Sequence, residues 1–308
     1  MNPVRVSSVD NRQYILAIVL TLLGAVLFSV KGVFIKFAYE YQVDTVTLLT
    51  LRMAIAVPVY LLIGFYSERL YPQRISRKQL LAIACFGFLG YYLASYLDMQ
   101  GLHYISVSLE RVILYLYPTF VLILSAIVFR HRIKRREVVA LTIAYAGIVL
   151  IFVESLQFDT GDYVLGAALV AMSAFAFAVF MLGSDKHIKL VGSVRFTAYA
   201  MSAAGFAAFV HYLLSARSGL FQQHSEVYFW ASVLAMLSTI IPTFFISHGM
   251  KILGAKKVSM LGVVGPVSTL IIGVLFLGER INTVQLVGMV TVIVAVSFIV
   301  ILNKPDKD

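Results

Sequence analysis

Ten apolar runs dominate the chain, at roughly 14–39, 45–66, 79–98, 104–129, 137–153, 163–183, 195–214, 228–249, 258–278 and 283–302. Most reach the about 20 residues that carry a helix across a hydrocarbon core. In lipid every backbone N–H and C=O needs a partner inside the protein, so such runs fold as helices rather than open sheets. The expected class is therefore an all-α integral membrane protein of ten transmembrane helices. The links are short and leave no room for an extramembrane domain. Composition agrees, with 60% hydrophobic and only 13% charged residues, against about 25% charged in a soluble domain. That balance excludes a soluble enzyme, a disordered chain and a nucleic-acid binder, despite a net charge of +10. The first run is too long for a signal-peptide core and no small-x-small cleavage pattern follows it. The single cysteine, Cys85, permits no intramolecular disulfide, and its setting reads as that of a buried small residue.

The basic residues set the expected orientation. With the N-terminus on the cytoplasmic side, nineteen Lys and Arg fall in inside segments and two, Arg217 and Arg280, fall outside. Such asymmetry over short loops predicts both termini inside. The outside link after the fifth run carries Glu154, Asp159 and Asp162 and no base. The inside run Arg130 to Arg136 is expected to hold topology and to touch anionic lipid heads.

Sliding the chain against itself by 148 residues puts Gly101 on Gly249, Pro118 on Pro266, and Arg132-Ile133 on Arg280-Ile281. Val43 and Val46 fall on Val191 and Val194 in the same register. The organisation expected is a cytoplasmic tail 1–13, a five-helix repeat 14–153, a second repeat 163–302, and a tail 303–308. Five is odd, so the second copy enters the membrane upside down. Inverted repeats are the architecture of many transporters, whose halves rock about a midplane site.

The ten runs, the five-plus-five repeat and the block Pro266…Phe276-Leu277-Gly278-Glu279-Arg280-Ile281…Gln285-Leu286-Val287-Gly288 resemble the EamA family of the drug/metabolite transporter superfamily. Where the family often has Gly-Glu-Arg in the first half, this chain has Arg130-His131-Arg132. The resemblance implies a multi-pass carrier of the bacterial inner membrane with a central cavity, often an exporter of metabolites or amino acids. A carrier of lipid-linked or nucleotide-sugar substrates is the rival within transport; a passive channel and a membrane enzyme are rivals outside it.

Charges inside the runs are the candidate site, because each costs roughly 2.5–3.5 kcal/mol at a helix centre unless it meets a cavity or a partner. Lys31, Lys36, Arg52, Asp98, Glu110 and Arg111 all fall in the outer half of repeat one. At offset 148 they meet Val179, Ser184, Ala200, Ile246, Val258 and Ser259, none of them charged. Lys31, Arg52, Tyr91, Asp98, Arg111 and Tyr115 are the candidate substrate contacts. Asp98, expected to close the third span, and Glu110 are candidates for proton coupling. Glu110 and Arg111 are neighbours and so point to different helix faces. Four bases against two acids predict a basic cavity and an anionic or zwitterionic small-molecule substrate. Pro118 and Pro266, mid-span in matching positions, are candidate hinges. The glycines of the ninth run read as a packing face. Trp230 reads as an interface anchor. The six histidines lack metal-ligand spacing, and no catalytic set, metal site or cofactor motif occurs; only His248 offers itself as a proton carrier.

Overall fold

The computed structural model describes residues 11–70, 75–130, 132–153, 162–215, 219–277 and 282–302. Residues 1–10 and 303–308, His131, Glu154, Asp159, Arg217 and the Gly278-Glu279-Arg280-Ile281 block lie outside the described residues; residues 11–13 of the expected tail begin the first helix. Repeat one comprises α1 (Asn11–Ser29), α2 (Lys31–Tyr39), α3 (Thr45–Leu70), α4 (Arg77–Gly87), α5 (Ala94–Gly101), α6 (Val107–Leu114), α7 (Tyr117–Phe129) and α8 (Arg135–Phe152). Repeat two comprises α9 (Tyr163–Val191), α10 (Ser193–Ser215), α11 (Ser225–Ala235), α12 (Ile241–Leu253), α13 (Ala255–Leu261), α14 (Gly265–Leu277) and α15 (Thr283–Leu302).

Nine helical stretches among the described residues are long and apolar enough to cross a membrane. Several combine consecutive elements, as α1 with α2 and α4 with α5 do. The run expected at 137–153 is helix α8, whose first turn carries Arg135, Arg136 and Glu137. The third span continues past its expected end at Asp98 to Gly101. Asp98 is thus inside the bundle and 0% exposed, because its carboxylate has a cationic partner there.

The offset of 148 recurs in the backbone. Helices α3, α4, α6, α7 and α8 begin at residues 45, 77, 107, 117 and 135, and α10, α11, α13, α14 and α15 at 193, 225, 255, 265 and 283. Irregularities match too. A π-helical turn at Phe88–Leu93 answers one at Met236–Ile240. The break at Tyr115–Leu116 answers the 3₁₀ turn Gly262–Val264.

Packing is reciprocal. Helix α3 packs on α10 and α8 on α15, while α1 on α12 is mirrored by α9 on α5. Helices of one half thus pack on helices of the other. Close approach rests on small residues. A Cβ on Gly147 would lie 2.8 Å from the Gly288 carbonyl oxygen, and one on Gly288 2.8 Å from that of Gly147.

One expectation changes. Cys85 is exposed on the outside of α4, where an apolar thiol needs no burial. Trp230 is half-buried, with its ring 5.7 Å from Phe34 and 5.0 Å from Phe37 of α2.

Candidate functional site

A central cleft with about 770 Å³ of empty space, its solvent-continuous part included, lies between the two repeats. Its walls pair across the offset: Ala25 with Ser173, Ser95 with Thr243, and Leu114 with Gly262. Lys31, Tyr91, Arg111 and Tyr115 line the cleft, with Phe28, Tyr117 and Phe177 supplying aromatic surface.

Local breaks put these side chains there. Helical continuity lapses at Val30, between α1 and α2. The Ser29 hydroxyl donates back to the Val26 carbonyl at 2.7 Å, and the Ser29 carbonyl accepts from Thr269 Oγ1 at 3.3 Å. Such back-bonding bends a helix. Lys31 opens α2 with its Nζ 2.6 Å from Asp98 Oδ2 and 5.4 Å from the Phe28 ring centroid. On α6, Arg111 folds back on its own neighbour, Nε 2.9 Å from Glu110 Oε2. The two residues touch each other, and only Arg111 reaches the cleft. Gly32 makes room for the pair, since a Cβ there would stand 2.6 Å from Arg111 Nη2 and 3.4 Å from Glu110 Oε2.

All four charges are buried. The carboxyl groups of Asp98 and Glu110 approach one another, and none of their oxygens has a well-aligned hydrogen bond. The pairing qualifies the expectation of a basic cavity: Lys31 and Arg111 are the charges in the wall, and each is balanced by a carboxylate within 3 Å that stands behind it. Two ion pairs that share a wall with open space can exchange partners with a zwitterion: an ammonium takes the acids while a carboxylate takes the bases.

Asp98 and Glu110 stand behind the lining residues rather than in the wall, and Arg52 is set apart from it. Tyr91 faces Ser247, whose hydroxyl accepts from Thr197 at 2.7 Å. His248 is half-buried and does not line the cleft.

The two prolines are not mid-helix kinks. Pro118 and Pro266 are each the second residue of a new helix, α7 and α14, just after a break. Proline belongs in a first turn, where its missing N–H bonds nothing anyway. The two interruptions meet, as the Tyr115 and Tyr117 hydroxyls fill the space a side chain would need at Gly265 and Gly262. Gly262 and Gly265 are thus sites of close packing, and Gly262 also lines the cleft.

Sequence reasoning missed Gly32, Ser173, Phe177 and Met181. The offset holds a signal for Ser173, which answers Ala25; Phe177 and Met181 look like any lipid-facing apolar residue.

A family model described as the EamA-like transporter family matches residues 15–153 and 164–301. An uncharacterized transporter YcbK of Bacillus subtilis (strain 168) is 28% identical over 275 residues, 87% of each chain. An uncharacterized transporter of Archaeoglobus fulgidus is 24% identical over 211 residues, 68% of this chain and 72% of that one. A solved crystal structure superposes with a TM-score of 0.75 at 14% identity, covering 93% of this chain and 98% of the other. At that identity it speaks for the fold alone.

Proposed function

The chain belongs to the EamA-like transporter family, and from that premise we propose that it is a secondary active carrier exporting amino-acid-like zwitterions by alternating access. The observation that carries the reading is the central cleft, with walls from both repeats and its two cations balanced by adjacent carboxylates. Lys31 and Arg111 receive the substrate carboxylate, Tyr91 and Tyr115 orient it, and Asp98 and Glu110 receive its ammonium. The same acids pass a proton when the substrate leaves. The reading includes ten spans, an inverted second repeat and both termini on the cytoplasmic side of a bacterial inner membrane. The matched element starts and reciprocal packing support the repeat, and the basic-residue asymmetry supports the orientation. Anionic lipid heads meet the basic segment around Lys134, Arg135 and Arg136.

The helix restarts at Pro118 and Pro266 serve as the hinges. Counterflow in proteoliposomes tests the mechanism: labelled amino acid should accumulate transiently against unlabelled amino acid trapped inside. Pro118→Ala and Pro266→Ala should fold, with stability changed by about 0.4–1 kcal/mol, and exchange more slowly. Flux that never saturates, without counterflow, would make the protein a channel. Wild-type exchange in both proline variants would make the restarts static.

A further inference from the structure

Arg52 stands inside the bundle on α3, 2% exposed. The acids its position suggests as partners are taken, Asp98 by Lys31 and Glu110 by Arg111. Among the described residues Arg52 forms no ion pair and no hydrogen bond, and its Nε is sealed without an acceptor. The titratable groups that act on its charge are Tyr60, Asp98 and Tyr39. Both tyrosine hydroxyls are engaged elsewhere. Tyr39 donates to the Met99 carbonyl at 2.9 Å, and Tyr60 donates to Thr243 Oγ1 at 2.7 Å, because Thr243 spends its own proton on backbone carbonyls. A second orphan is Ser238 Oγ, 1% exposed and without a hydrogen bond, in the π-helical turn that packs against α3.

The cluster of Lys31, Arg52, Arg111, Asp98 and Glu110 thus holds three bases against two acids, and the surplus positive charge sits on Arg52. A buried guanidinium in a membrane protein pairs with an anion or with backbone carbonyls, and this one has neither. Arg52 lines neither the central cleft nor the apolar groove between α3 and α10. A metabolite bound in the cleft therefore does not reach it.

We propose that Arg52 holds a small inorganic monoanion, of which chloride is the abundant example, in a site separate from the substrate cleft. The guanidinium supplies charge and planar donors. Repeat two has Ala200 at the equivalent position, so the molecule carries one such site. The proposal does not depend on which solute is exported.

The test uses full-length purified protein in sodium gluconate, with chloride, bromide or nitrate replacing gluconate at constant ionic strength. An anion that binds only the native state raises the melting temperature by mass action, here by about 2–4 °C and saturably. Equilibrium binding of radioactive chloride should give one ion per chain. Arg52→Gln should lose both signals, and Arg52→Lys should keep them at about tenfold weaker affinity. If Arg52→Gln does not fold, wild type and Arg52→Lys carry the test. A melting temperature indifferent to anion identity, or no bound chloride, would overturn the proposal. So would chloride binding unchanged in either variant. Displacement of chloride by acetate at equal concentration would reassign Arg52 to the substrate carboxylate.

Discussion

Helix α9 runs unbroken for 29 residues from Tyr163 to Val191, whereas its counterpart in repeat one splits at Val30 into α1 and α2. Around the split stand Val30, Lys31 and Gly32; at offset 148 the continuous helix has Ala178, Val179 and Phe180. Phe180 is a buried packing residue, closed against Tyr91 and Phe196. Gly32 instead leaves a gap, and Arg111 fills it. One scaffold thus carries two interiors. Repeat two has the uncharged Val179, Ile246, Val258 and Ser259 at the positions where repeat one buries ion pairs. Duplication explains the helices, the π-helical turns and the breaks that both halves share. The split at Val30 is additional to that inheritance, and it occurs where a lysine enters the cleft.

Removing one partner of a buried ion pair should separate the halves most sharply. Lys31→Met leaves Asp98 charged and unpaired, and should destabilise the protein by about 3–5 kcal/mol. Lys31→Met with Asp98→Asn should recover most of that loss in thermal unfolding. Transport should stay impaired, because the substrate carboxylate has lost its base. If the double variant transports like wild type, the pair is structural and the asymmetry between repeats has no role in binding.

A smaller effect comes from closing the gap at Gly32. Gly32→Ala should press on the Arg111 guanidinium and cost about 1–3 kcal/mol, while Val179→Ala, beside the Phe180 counterpart in repeat two, should leave the Arg111–Glu110 pair intact. Chemical denaturation of both variants checks this. Equal behaviour would mean that Arg111 has another route into the cleft.

The smallest effect is a pH dependence at His103 of repeat one. His103, in the link between α5 and α6, stacks on Tyr39 with ring centroids 3.9 Å apart, and its Nε2 is 2.8 Å from Thr45 Oγ1. Partial burial, and then the Lys36 charge, hold its imidazole below the usual histidine value, against the opposing pull of Asp44. The unfolded chain therefore takes up the proton first. The contact is at full strength above about pH 6.5 and weakens as pH falls below that value. Acidification should lower the melting temperature slightly in wild type and less in His103→Asn. Lys251 stands at the equivalent position in repeat two. An identical pH profile in His103→Asn would remove the asymmetry.

Much of this architecture was legible in the residues. Apolar length predicted the helices, and the register of Gly101, Pro118 and Val43 predicted the offset at which five pairs of helices begin. The list of buried charges also came from the sequence, because few residue types are tolerated in lipid without a reason. Pairing was not legible. Glu110 and Arg111 were assigned to different faces by helical geometry, yet a long flexible side chain reached back to its own neighbour. The matching offset of the two prolines is visible in the sequence, whereas the helix restart before each of them is not.

By itself the sequence determined what must be buried and how often the pattern repeats. Hydropathy and periodicity are properties of a residue and its neighbours along the chain. Only the tertiary structure decided which charge answers which, that the cleft is balanced rather than basic, and that Arg52 is left over. Those outcomes depend on distances of 3–4 Å between helices remote in sequence. Electrostatic energy in a low-dielectric interior changes steeply over such distances, and a one-dimensional pattern carries no record of them.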